Sequence, residues 1–121
     1  GSYFGRCAEY CGTQHAQMLI QVDAVSHEEF ESWVAAQLKP ARNVASGDAG
    51  RERFMALACA NCHTIRGTQA NGRFGPDLTH LMSRKTIAAG ILENNRENLS
   101  RWVADPQVIK SGCRMPDMRL N

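Results

Sequence analysis

Four of the five cysteines in these 121 residues fall in two pairs, and each pair has a histidine close behind it. The sequence Cys59-Ala60-Asn61-Cys62-His63 sets two thiols three positions apart, with an imidazole directly after the second. That order suits covalent haem: two thiols add across the porphyrin vinyl groups and the adjacent imidazole reaches the iron from the same loop. A thioredoxin-like redox motif would need a surrounding βαβ pattern, and a zinc site a second pair at zinc spacing; neither follows. Iron bound through His63 then needs a sixth ligand or an open position. His80, Met82, Met115 and Met118 are the downstream candidates. Met115 is the expected axial ligand, because Gly112-Cys113-Arg114-Met115-Pro116 follows the last helix and can fold back over the second haem face. A thioether there raises the reduction potential. His80 and Met82 are expected in core packing or at the surface, Met118 is the second choice, and Cys113 is expected as a partly exposed spectator thiol.

The upstream pair lies in Cys7-Ala8-Glu9-Tyr10-Cys11-Gly12-Thr13-Gln14-His15-Ala16-Gln17-Met18, which puts two thiols, an imidazole and a thioether within twelve residues. Such a soft ligand set suits copper. Chemistry alone leaves two alternatives open, zinc on Cys7, Cys11 and His15, and a structural Cys7–Cys11 disulfide.

These clusters need elements to hold them. Residues 18–25 alternate Ile20 and Val22 against Gln21 and Asp23, as a half-buried strand does. Ser26, with Glu29 three positions on, predicts a capped helix start; Phe30, Trp33, Val34 and Leu38 share a face, and Pro40 ends the run. One strand and one helix cannot enclose a core, so this segment reads as incomplete. Residues 39–48 lose periodicity and read as a linker. Downstream, residues 51–59 predict a helix and 77–84 and 85–92 two shorter ones; Asn94 and Asn95 mark a break, after which Leu99, Trp102 and Val103 form a last amphipathic stretch that must end near Ala104, because Asp105 precedes Pro106. The predicted fold is mainly α from residue 49 to 121. So thin a core usually borrows stability from a metal, disulfide or cofactor.

Composition narrows the function classes. Hydrophobic residues at 43% and charged residues at 21% fit a globular chain of one ordinary domain. No apolar run approaches the roughly 20 residues that cross a bilayer, so the expectation is a soluble piece. Residues 1–43 carry three basic and five acidic side chains, and residues 44–121 carry eleven and seven. The arginines are scattered singly, without interleaved aromatics, which argues against nucleic-acid binding. No nucleophile–base pair, carboxylate dyad or phosphate loop supports hydrolytic or transfer chemistry.

Gly50 and Phe54, Phe74-Gly75-Pro76-Asp77-Leu78, Trp102 and Met115-Pro116 around the attachment motif together resemble the class I monohaem cytochromes c. The resemblance implies that the Pro76 carbonyl orients His63. Tyr3-Phe4-Gly5-Arg6-Cys7 through Met18 resembles the binuclear copper (CuA) loop of cytochrome c oxidase subunit II. It implies that Cys7 and Cys11 bridge two coppers, that Glu9 offers its backbone carbonyl to one of them, that His15 binds one and Met18 the other. The other copper-binding histidine, most of the cupredoxin sandwich and two membrane helices of that family have no counterpart in these residues. In this order the two resemblances, which with Leu78-Thr79-His80-Leu81 and Asn98-Leu99-Ser100-Arg101-Trp102 span nearly the whole chain, look like bacterial oxidase subunits II with a fused cytochrome c.

The implied organisation is a cupredoxin fragment at 1–38, a linker at 39–48 and a monohaem cytochrome c at 49–121. The implied function is relay of electrons from haem c to CuA, which feeds oxygen reduction elsewhere in the complex. The chain would then be the electron-entry part of an oxidase, with no oxygen chemistry of its own. Implied partners are the catalytic subunit I and an external donor, either a quinol-oxidising complex or a soluble cytochrome. Membrane attachment would come through upstream helices, at the periplasmic or outer face of a bacterial membrane. The free strand edge also permits a strand-exchanged dimer. Two other readings are a free periplasmic electron carrier and a copper- or zinc-binding delivery module.

Overall fold

The structure, a computed structural model, describes residues 1–42 and 48–120. Half of the predicted 39–48 linker, residues 43–47, lies outside the described residues. The chain divides into two units, Gly1–Val25 with Met82–Asn121, and Ser26–Leu81.

In the first unit β1 (Ser2–Arg6) and β2 (Leu19–Asp23) pair antiparallel, with Ser2 opposite Asp23 and Arg6 opposite Leu19. The expected single strand therefore has a partner, which corrects the reading of one strand plus one helix. The pair closes a loop: the Cys7 N–H donates to the Met18 carbonyl at 3.1 Å, so residues 7–18 begin and end at one point. Asp23 at the far end accepts from the Ser2 hydroxyl at 2.5 Å and from Lys85 Nζ at 3.0 Å.

Ser2 first, then Lys85 and Gln21, hold the Asp23 carboxyl down at about 2, against 3.8 normally. A depressed carboxyl stabilises the folded state above its unfolded value, and that contribution is lost as pH falls through the folded value. Carboxyl NMR is thus expected to show Asp23 titrating near pH 2 in the parent and close to pH 4 in a Ser2→Ala, Lys85→Ala double variant. An unmoved midpoint in the double variant would refute the assignment.

The predicted helix over 85–92 is absent. Its place is taken by β3 (Thr86–Ile87) and β4 (Leu92–Glu93), joined by a turn in which Ala88, Ala89 and Gly90 all have positive φ (54°, 60° and 86°). The turn accepts a tertiary bond, since the Leu19 N–H donates to the Ala89 carbonyl at 3.0 Å, and a Cβ on Gly90 would stand 2.8 Å from the Leu19 Cβ. That strand contact outweighs local helix propensity. Helix α3 (Arg96–Ala104) starts where the Asn95 side chain accepts from the Asn98 N–H, and stops before Asp105 as the following proline requires. Asp105 then caps a helix the sequence reading lacked, α4 (Pro106–Ile109), by accepting from the N–H groups of Gln107 and Val108.

The second unit opens with α1 (His27–Gln37). Ser26 accepts from the Glu29 N–H at 3.2 Å and Glu29 accepts from the Ser26 N–H at 2.9 Å, the reciprocal cap read from the sequence. The Ser26 backbone, then its hydroxyl, hold the Glu29 carboxyl below its ordinary range. Helix α2 (Asp48–Ala56) ends three residues short of the predicted bound because Ala58 takes a left-handed conformation, φ 61°. The expected helix over 77–84 shrinks to a 3-10 turn at Leu81–Ser83. Asp77 instead accepts from the Thr79 N–H at 2.8 Å and pairs with Arg66 at 3.2 Å. The described residues mix helices with four short strands, an architecture consistent with the resemblance to class I cytochromes c.

Candidate redox centres

The motif Cys59-Ala60-Asn61-Cys62-His63 is shaped by its own backbone. Left-handed Ala58 turns the chain out of α2 into a 3-10 turn, Cys59–Asn61, and the Cys59 carbonyl accepts from the N–H groups of Cys62 (3.2 Å) and His63 (3.0 Å). Both thiols are free, Cys62 exposed and Cys59 half-buried. Residues 64–78 then wrap the motif. Gly75 N–H donates to the Cys62 carbonyl at 2.7 Å, Gly72 N–H to the His63 carbonyl at 3.1 Å, and Leu78 N–H to the Thr64 carbonyl at 2.8 Å.

Two glycines permit that closeness. A Cβ on Gly72 would sit 2.5 Å from the carbonyl carbons of Asn61 and Cys62, and one on Gly75 would overlap His63 Cε1 and stand 2.6 Å from Nδ1. Sequence reading gave neither glycine a role, although Gly75 lies in the quoted stretch. The His63 Nδ1 is 2.8 Å from the Pro76 carbonyl. A carbonyl only accepts, so Nδ1 carries the proton and Nε2 keeps its lone pair for a metal.

The set fits a haem on a second ground. Fully buried apolar side chains among the described residues come down to Ala70 (2% exposed), Ile87 (7%) and Pro106, in a chain that is 43% hydrophobic. Phe74, beside Gly75, is 85% exposed. Such a chain lacks the apolar filling that a porphyrin supplies. Of the candidate sixth ligands, His80 Nε2 is engaged by the Lys39 carbonyl at 2.9 Å and Met82 is exposed. Met115 and Met118 are half-buried in the other unit.

The second cluster lies wholly in the first unit, in the loop closed by β1 and β2. Ligand atoms of Cys7, Cys11 and His15 all lie within 4.8 Å of one another. Around Cys11 Sγ stand Cys7 Sγ at 3.6 Å, Met18 Sδ at 3.7 Å and His15 Nδ1 at 3.8 Å, and the Glu9 carbonyl is 3.1 Å from Cys7 Sγ. Gly12, at φ +119°, makes the turn, and the 3-10 turn His15–Gln17 brings His15 round to the sulfurs. Tyr10 backs the His15 ring at 5.7 Å. All five residues named from the sequence for this site, Cys7, Glu9, Cys11, His15 and Met18, lie together in this loop. The Cys7 thiol beside it pushes the Cys11 thiol above its usual value. A metal that takes both sulfurs must displace those protons.

The chain is similar to known proteins over most of its length. The family model described as Cytochrome c matches residues 47–121. Cytochrome c oxidase subunit 2 of Alkalihalophilus pseudofirmus is 39% identical over 120 residues, 96% of this chain and 34% of that protein. The Bacillus subtilis protein of the same name is 34% identical over 93% of this chain and 33% of its own length. The one from Arabidopsis thaliana is 55% identical over 40 residues, 33% of this chain. The chain thus spans about a third of the length of the bacterial relatives it matches.

Proposed function

The chain belongs to the cytochrome c family, and from that premise we propose that it is the electron-entry part of a haem-copper oxidase subunit II, relaying single electrons from a covalent haem to a binuclear copper centre. The observation that carries the reading is the convergence of Cys7, Glu9, Cys11, His15 and Met18 in a chain that also holds the haem-attachment loop. A free carrier has no use for the first site, and a metal-delivery module none for the second.

When bound, the haem supplies a one-electron iron couple and the copper pair a second. The chain's residues set the conditions. Cys59 and Cys62 fix the porphyrin covalently, so the haem is not lost on reduction. His63, its tautomer set by Pro76, would hold the iron through Nε2, and Met115 would hold it through its thioether. Cys7 and Cys11 would hold the copper pair as thiolates, which would share charge over it and steady its geometry between redox states. His15, Met18 and the Glu9 carbonyl complete what these residues give, and a further ligand comes from upstream sequence. Joining donor and acceptor in one chain replaces a diffusive encounter with an intramolecular one. Subunit I, an external donor, upstream membrane helices and a periplasmic or outer-face location complete the proposal. No helix among the described residues is long and apolar enough to cross a membrane.

The test is an optical spectrum of the purified chain, oxidised and reduced, with iron and copper measured on the same sample before and after copper is added. Expected are one iron per chain, a c-type reduced spectrum, and a ferric sulfur-to-iron charge-transfer band that Met115→Ala abolishes. Iron without a full copper complement is expected of this chain by itself; with the upstream sequence that supplies the further ligand joined to it, copper is expected to bind, and not to bind a Cys7→Ser, Cys11→Ser variant. Iron with no thiol-dependent copper in that longer protein would favour the free carrier; copper without iron, the delivery module.

A further inference from the structure

Three of the hydrogen bonds on the segment that carries Met115 come from one side chain. Gln107, on α4, donates from Nε2 to the carbonyls of Cys113 (3.0 Å) and Met115 (2.6 Å), and accepts at Oε1 from the Gly112 N–H at 2.9 Å. One amide thereby ties three of the four residues from 112 to 115. Its own base is rigid: Pro106 before it is fully buried, and the Gln107 N–H donates to the Asp105 carboxylate at 2.9 Å. The Cys113 thiol adds a weak contact to the Met115 carbonyl at 3.4 Å, which gives this cysteine a packing role.

The near end of the segment is secured differently. Gln14 donates to the Ser111 carbonyl, and Lys110 Nζ reaches the carbonyls of Ala88 at 3.4 Å and Gln17 at 3.5 Å. The Cys113 N–H also donates to the Lys110 carbonyl at 3.0 Å, so removing Gln107 would leave residues 110–113 in place and free the Met115 backbone beyond them. We propose that Gln107 is the positioning residue of Met115, fixing its backbone so that the thioether is presented to iron at little further entropic cost. The inference rests on Met115 being the axial ligand.

A loosened ligand is replaced more readily as pH rises, so the readout is the pH at which the ferric sulfur-to-iron band disappears from the haem-loaded full chain. Two hydrogen bonds from one amide predict that Gln107→Leu raises the constant for Met115 release roughly tenfold. For a one-proton process the midpoint then falls by about one pH unit. Gln14→Ala, which cuts the near-end bond, is expected to change it less than about twofold. Helix content by circular dichroism should be unchanged, which a general loss of fold would not allow. If Gln107→Leu does not take up haem, Gln107→Glu keeps the acceptor for Gly112 and removes the donors, and the same fall is expected. A midpoint in either variant within about twofold of the parent, with Met115→Ala lacking the band, overturns the role of Gln107 alone. If Met115→Ala retains the band, the ligand assignment fails and the inference with it.

Discussion

Made with serines at Cys59 and Cys62, so that no haem is attached, the chain is expected to lose its cooperative unfolding transition altogether. The argument is one of burial. Ordering a residue costs about 1–2 kcal/mol of backbone entropy, and a fully buried large apolar side chain returns only about 1.5–3 kcal/mol. Here Ala70, Ile87 and Pro106 are the side chains that reach full burial among the described residues, while Phe4, Trp33 and Phe74 stand 80%, 57% and 85% exposed. A domain's net stability of about 5–15 kcal/mol cannot come from so few contacts. The covalent porphyrin is the large apolar body that would supply them. Scanning calorimetry of the Cys59→Ser, Cys62→Ser variant should show no heat-absorption peak, with near-ultraviolet dichroism flattened and part of the far-ultraviolet signal retained. A sharp transition within a few degrees of the parent's would mean that polypeptide packing alone stabilises the fold, and the haem would lose its structural role.

What the sequence disclosed about this molecule was the local part. The Ser26–Glu29 cap and the stop before Pro106 are written in adjacent residues and governed by sterics or a single hydrogen bond, and both are found where they were read. Ligand spacing is equally local: Cys7, Cys11, His15 and Met18 meet because one short loop cannot place them far apart. The errors in the strands are non-local. Strand β1 escaped because Tyr3 and Phe4 do not alternate with polar residues and its partner lies beyond the ligand loop. The run from Lys85 to Leu92 has helical composition, yet the bond from Leu19 to Ala89 selects a turn that two alanines enter at positive φ. Gln107 has no motif at all. Its importance lies in three partners five to eight residues away, which only folded coordinates bring together.

Gly75→Ala is expected to strike the candidate iron ligand directly. Its Cβ would overlap the His63 ring at Cε1 and crowd Nδ1 at 2.6 Å and Nε2 at 3.0 Å. The ring has nowhere cheap to go. Its Nδ1 is tied to the Pro76 carbonyl at 2.8 Å, one residue beyond Gly75, and the Gly75 N–H is itself bonded to Cys62 at 2.7 Å. Moving the histidine therefore breaks its orienting hydrogen bond, and moving the backbone loosens the attachment motif. Overpacking of this kind costs about 1–3 kcal/mol, and a lost hydrogen bond to a part-buried group about 1 kcal/mol more. The expected result is covalent haem still present on both cysteines, with a large fraction of ferric iron converted to the high-spin form and the thermal midpoint lowered by several degrees. Magnetic resonance of the ferric iron reads the first effect, and mass spectrometry confirms attachment. Gly75→Ala with the parent's low-spin signal would show that residue 75 does not confine His63, and that the glycine is there only for the turn.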